Sequence, residues 1–172
     1  MKRAGLIIVV IAFSTILKAQ DMAFKTHTDA GAGVSIDYPH TWEFMENPQT
    51  VFILIRPLEE PGQQFRENVN LVVGPSQKLT LKEYTEQAKG QMEMYLSGFM
   101  IKSTDYEKIN GREYAKIVYW HTTNNLPLQV VYYITLKNDK AYNLTFSAIV
   151  KSFDKYEPVF NNIVQSFKIS QN

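Results

Sequence analysis

The chain has 172 residues, no cysteine, 18 Lys+Arg against 17 Asp+Glu, and 45% hydrophobic residues. That length supports one domain with its own core. The missing thiols exclude a disulfide scaffold, thiol catalysis, Cys-based zinc sites and a lipid-modified N-terminal cysteine.

Residues 1–19 read as a secretory signal peptide. Lys2 and Arg3 form a positive start, Leu6 to Leu17 is an apolar run broken only by Ser14 and Thr15, and Ala19 offers a small residue. Cleavage is expected after Ala19 or Gln20. The alternative is a retained anchor, but Ala4 to Leu17 spans only about 21 Å as a helix, short of a ~30 Å hydrocarbon core. No stable membrane anchor is therefore expected after cleavage. Without Lys2, Arg3 and Lys18, the 18 basic residues fall to 15 against 17 acidic ones, a net charge of about −2. No basic stripe remains, which argues against nucleic acid and anionic membrane surfaces as partners.

Residues 21–170 read as a single domain. A short strand around Ala23-Phe24-Lys25 precedes a turn at residues 29–33. Val34 to Tyr38 alternates and closes at Pro39. Trp42 to Phe44 starts another strand, with its turn at Asn47-Pro48. Val51 to Arg56 is apolar at every position before Arg56, so a central strand covered on both sides is expected. Pro57 to Arg66 reads as a polar, mobile loop. Asn68 to Val73 is a strand with Val69, Leu71 and Val73 inward, stopped by Gly74-Pro75.

Thr80 followed by Glu83 is a capping box that opens a helix. Leu81, Tyr84, Thr85, Ala88, Met92, Tyr95 and Leu96 share one face at helical spacing, and Gly98 is expected at C′. Met92 and Met94 read as packing rather than as a soft-metal pair or a partner surface. Four strands follow: Phe99 to Ile109, Arg112 to His121, Leu128 to Leu136, and Tyr142 to Ala148. Asn110-Gly111 is the strongest hairpin signal, because both residues tolerate the positive φ of a type I′ turn. Asn124 to Pro127 and Lys137 to Lys140 supply the other two turns. A second helix carries Tyr156, Phe160, Ile163, Val164 and Phe167 on its apolar face, with Pro158 expected in the first turn.

Taken together, five pieces resemble the PsbP-like superfamily. They are Tyr38-Pro-His-Thr-Trp42, Asn68-Val-Asn-Leu-Val-Val73, the helix start from Leu79 to Gln87, Tyr142 to Ala148, and Tyr156-Glu-Pro-Val-Phe160 leading to Ser166-Phe167. The superfamily includes a Ran-binding nuclear-transport relative and many small bacterial envelope proteins. The resemblance implies an α+β fold, a twisted antiparallel β-sheet flanked by helices in an α-β-α sandwich. It also implies an accessory or docking role without chemistry of its own. The signal peptide at residues 1–19 adds export to the bacterial periplasm or beyond the cell, and no cofactor is expected, since none of the family's cofactor-retention residues can be placed on this sequence.

The residues themselves agree with a non-enzyme. His27, His40 and His121 show no metal-ligand spacing. There is no nucleophile elbow, P-loop or dinucleotide fingerprint. Asn143-Leu-Thr145 matches a glycosylation sequon but falls inside an expected strand. The less apolar sheet face gathers Asn68, Asn70, Tyr119, His121, Gln129, Tyr133, Asn143, Thr145 and Ser147, provided the strand faces align. Asn68, Asn70, Tyr119, His121 and Tyr133 are the expected ligand or partner face. An envelope protein is the expected partner, and a small, partly apolar ligand on the same face is the alternative.

Overall fold

A computed structural model describes residues 22–170, and the expected signal peptide lies outside them. The chain runs β1 (Phe24–Asp29), β2 (Val34–Pro39), β3 (Glu43–Asn47), β4 (Thr50–Ile55), β5 (Asn68–Pro75), α1 (Leu81–Tyr95), β6 (Met100–Ile109), β7 (Arg112–Thr123), β8 (Leu126–Lys137), β9 (Lys140–Ile149), α2 (Phe153–Ser166) and β10 (Lys168–Ile169). Seven strands form one antiparallel sheet in the order β3-β4-β5-β9-β8-β7-β6. The other three form a small second sheet, β1-β2-β10.

The meander β6 to β9 follows from its turns. Asn110 and Gly111 adopt φ of 51° and 78°, Asn124 and Asn125 50° and 63°, and Asn138 and Asp139 48° and 58°. All three are two-residue turns with positive φ at both positions, the geometry that matches strand twist. Asn and Asp bear the left-handed conformation at lower cost than other residues with a Cβ. Pro127 lies within β8 rather than ending the turn. It pairs with Thr122, whereas β8 first meets β9 at Leu128–Ile149, so its missing N–H leaves no rung to β9 unfilled.

The two faces of the large sheet are closed differently. On one face, Phe52, Leu54, Val69, Leu71, Leu144 and Phe146 are buried beneath α2 and the small sheet, which contribute Phe160, Ile163, Val34 and Ile36. Phe160 sits 5.3 Å from Phe146 and 6.4 Å from Trp42, ring to ring. We call this the α2 face. On the α1 face, Ala88 packs against Ala115, Ile117, Tyr119, Leu128, Val130 and Ile134. All the last six belong to β7 and β8, so α1 lies over that side of the sheet, and its Tyr84 reaches Asn143 of β9.

The α1 start is as expected: Glu83 N–H donates to Thr80 Oγ1 at 3.3 Å, and Thr80 N–H to Glu83 Oε2 at 2.8 Å. Other local readings need correction. Leu96 is the C-cap, so Gly98 lies two residues beyond it, at φ 64°. Tyr95 is 77% exposed and Met94 74%, whereas Met92 and Leu96 pack onto the sheet. Pro158 sits inside α2 rather than in its first turn. The helix begins earlier because Phe153 and Tyr156 are both drawn into the core. The carbonyl that Pro158 leaves without a helical donor belongs to Asp154, an exposed residue. β4 is not central; it is one strand from the edge. Phe52 and Leu54 are fully buried on the α2 face, but Val51, Ile53 and Ile55 are only half-buried.

Candidate binding face

Cross-strand partners share a face, so the ladder registers map the α1 face row by row. One row is Met45, Ile53, Asn70, Thr145 and Tyr132. The next is Glu43, Ile55, Asn68, Ser147 and Val130. From β7 to β8 these rows run under α1. From β3 to β5 no described helix lies over them. The result is a region about 10 Å wide from β3 to β5, with aliphatic Met45, Ile53 and Ile55 beside the amides of Asn68 and Asn70.

Its borders come from two elements. Tyr84, Gln87 and Gln91 recur at helical spacing on the flank of α1 and line a crevice with Tyr132. The same stripe continues along the helix to the exposed Met94 and Tyr95. On the other border, Phe65 packs toward the α1-side cluster from the segment before β5.

Hydrogen bonding separates occupied polar groups from free ones. Tyr132 Oη donates to Asn143 Oδ1 at 2.8 Å, and Asn143 Nδ2 to Tyr84 Oη at 3.3 Å. Asn143 is thus enclosed beneath α1, and the sequon that starts with it lies in β9. Asn68 Nδ2 donates to the Arg66 carbonyl at 3.0 Å. The half-buried Asn70 amide has no hydrogen-bond partner among the described residues.

The five expected face residues do not converge. Asn68 and Asn70 lie on the open floor. Tyr119 shares their face but is buried under the end of α1, its ring 5.3 Å from Phe99. His121 follows on the same face, half-buried, with its ring 5.8 Å from Tyr119. Burial pulls the His121 imidazole below its ordinary value, and a hydrogen bond with the Thr122 backbone opposes that pull. Tyr133 is on the opposite, α2 face: it pairs with Lys116 and Leu144 and sits between Tyr114 and Phe146. Burial pushes its hydroxyl well above the ordinary phenol range, with Glu107 adding to the shift. Gln129 is also on the α2 face, where its Oε1 accepts from Trp120 Nε1 at 3.0 Å. The strand faces do not align as expected because β8 and β9 are apolar on opposite faces. Leu128, Val130 and Ile134 meet α1, while Tyr142, Leu144 and Phe146 meet the α2 side.

A buried ionic cluster escapes the sequence reading altogether. Arg56 and Glu67 are 5% and 2% exposed, joined Nε to Oε2 at 2.6 Å. Glu67 Oε1 accepts from Ser152 Oγ at 2.7 Å, and Arg56 also reaches Glu59 at 2.8 Å. Burial alone would lower the Arg56 guanidinium, but its bond to Glu67 and the nearby negative charge leave it raised. This cluster ties both ends of the 57–66 loop to the start of α2, so a segment read as loose is anchored. The available signal was a charge at each junction: Arg56 ends one apolar strand and Glu67 precedes the next.

The open face can hold a partly polar, partly apolar surface through amides, hydroxyls and aliphatic side chains. The carboxylate of Glu43 at its edge is engaged by Arg66 at 2.6 Å. Among the described residues no three His, Cys, Asp or Glu side chains converge to hold a metal. No helix among them is long and apolar enough to cross a membrane.

Several solved structures share this architecture. Cyanobacterial PsbP (CyanoP) from Synechocystis sp. PCC 6803 matches with a TM-score of 0.64 at 14% identity, over 88% of this chain and 95% of that one. LpqN of Mycobacterium tuberculosis, a protein involved in cell envelope biogenesis, matches with 0.64 at 12% identity, over 80% and 83%. PA94 of Pseudomonas aeruginosa, a protein of unknown function and putative regulator, matches with 0.62 at 15% identity, over 83% and 94%. These likenesses define the fold. No curated protein matches the sequence. The sequence model of the PsbP family matches residues 22–169, nearly all of the described chain, and the protein belongs to that family.

Proposed function

We propose that this protein is an exported accessory module of a bacterial envelope, without catalytic activity, that docks a protein partner on the open half of its α1 face. The observation that carries the reading is the uneven cover of the sheet. Ile53 and Ile55 are paired in register with Asn70 and Asn68 and are only partly buried. Apolar side chains interleaved with amides at the centre of a surface, bordered by aromatics, are the composition of a protein interface. Family membership supports a docking role, and the envelope connection of LpqN supports the compartment. Export rests on the signal-like residues 1–19.

A second reading has its own observation, the unpartnered amide of Asn70 beside Ile53. Together they would seat a small, partly apolar ligand. Native mass spectrometry of protein purified gently from its own envelope separates the two readings. A co-migrating protein of fixed stoichiometry is the expected result. An added mass of a few hundred daltons would favour the ligand instead. Bare protein under every growth condition would contradict both.

A further inference from the structure

β6 is the terminal strand of the large sheet, and its outer edge meets no other described strand. We propose that this edge pairs antiparallel with β6 of a second copy, with the twofold axis through Thr104, to form one continuous sheet. This surface is at the far edge of the sheet from the open half of the α1 face, and the proposal does not depend on that reading.

The backbone sets which registers are available. Ile109 and Arg112 flank a two-residue turn and so form a hydrogen-bonded pair. The main-chain groups of Glu107, Asp105 and Ser103 then face β7, and those of Lys108, Tyr106 and Thr104 face outward, away from every described strand. Because the twofold keeps each sheet face continuous, only side chains on the same face can be opposed.

Side chains then select one register. Lys102 is the extra residue of a bulge, since Ile101 pairs with Tyr119 and Ser103 with Val118. Its ammonium lies 5.7 Å from the Trp120 ring, on the face shared by Ser103 and Asp105. Ile101, Thr104 and Tyr106 are on the other face, opposite Tyr119, Ile117 and Ala115. With Thr104 on the axis, Asp105 of each copy meets the Lys102–Ser103 bulge of the other. Tyr106, 45% exposed, meets Ile101, 40% exposed. The twofold makes each contact twice. Centring on Asp105 would oppose two aspartates, and centring on Tyr106 would oppose Asp105 and Glu107. A charged, bulged edge resists indiscriminate strand addition, but here its charges are complementary to themselves in a single register. Interleaved charge of this kind gives selectivity as well as attraction.

The test is sedimentation velocity on the mature protein over a concentration series, with circular dichroism as the check on folding. A dimer that dissociates on dilution is expected. K102E sets a carboxylate against Asp105 of the other copy and should weaken the dimer by about tenfold or more, with D105K added to it restoring most of the affinity. T104P removes the outward N–H on the axis and should also favour monomer. The Thr104 and Tyr106 amides should gain hydrogen-exchange protection as concentration rises. A monomer at every concentration up to about 100 μM would overturn the proposal. So would a dimer untouched by K102E and T104P, or a K102E/D105K protein no tighter than K102E.

Discussion

The two halves of the α1 face come from one sheet and the same kind of strand, yet they end differently. Under α1, Ile117, Ile134 and Val130 are excluded from water. Across the sheet, Ile53 and Ile55 in an equally apolar strand stay only partly buried. The difference is not in the residues of the floor but in where one helix lies. A helix about 10 Å across spans about two strands at their ~4.8 Å spacing, so α1 cannot close a seven-stranded sheet. The α2 face needs both a helix and a three-stranded sheet to close. What remains uncovered on the α1 face is the surface proposed above for a partner.

Truncations on the two halves and the α2 side test this contrast. The largest effect is expected on the closed α2 side: Arg56→Ala strands the buried Glu67 and should cost about 3–5 kcal/mol, read by urea denaturation. Under α1, Ile134→Ala should cost about 2–5 kcal/mol in the same measurement. The matched change on the open half, Ile53→Ala, should cost about 1 kcal/mol or less while abolishing partner capture. If Ile53→Ala and Ile134→Ala were equally destabilising, the floor would not be open. Thr80→Ala removes the cap of the covering helix and should cost about 1 kcal/mol.

The smallest effect concerns pH. His121, at the margin of the covered half, has its imidazole held below its ordinary value by burial, with the Thr122 backbone bond opposing. The unfolded chain therefore binds the proton more readily. Stability from this group is complete above about pH 6.5 and falls as the pH drops through the lower folded value. His121→Gln should flatten the acid limb of a melting-temperature profile as the pH falls below about 6.5. An unchanged limb would remove His121 from the account.

Local chemistry made much of the fold legible. Asn110-Gly111 dictates its turn, Thr80 and Glu83 dictate their helix start, and the α2 stripe from Tyr156 to Phe167 is buried as its spacing requires. The facing of the strands was not legible. Alternation tells which residues of one strand point together, but only register tells which strand shares their face. Tyr133 and Asn143 look equivalent in sequence and lie on opposite faces of the sheet. The two-residue strand β10 carries no periodicity at all, since its place beside Val34 and Ser35 is set by the end of α2. Asn68 and Asn70 were readable as a polar pair, but the openness above them depends on the reach of α1, which no local pattern encodes.

The most direct measurement is paired photo-crosslinking in intact cells. A photoreactive residue replaces the exposed Val72 on the open half in one strain and the exposed Glu157 on α2 in another. One recurrent protein adduct is expected from position 72, absent at 157 and lost when Ile53→Ala is added. Adducts of equal yield from both positions, or none from position 72 under any growth condition, would contradict the proposed docking face.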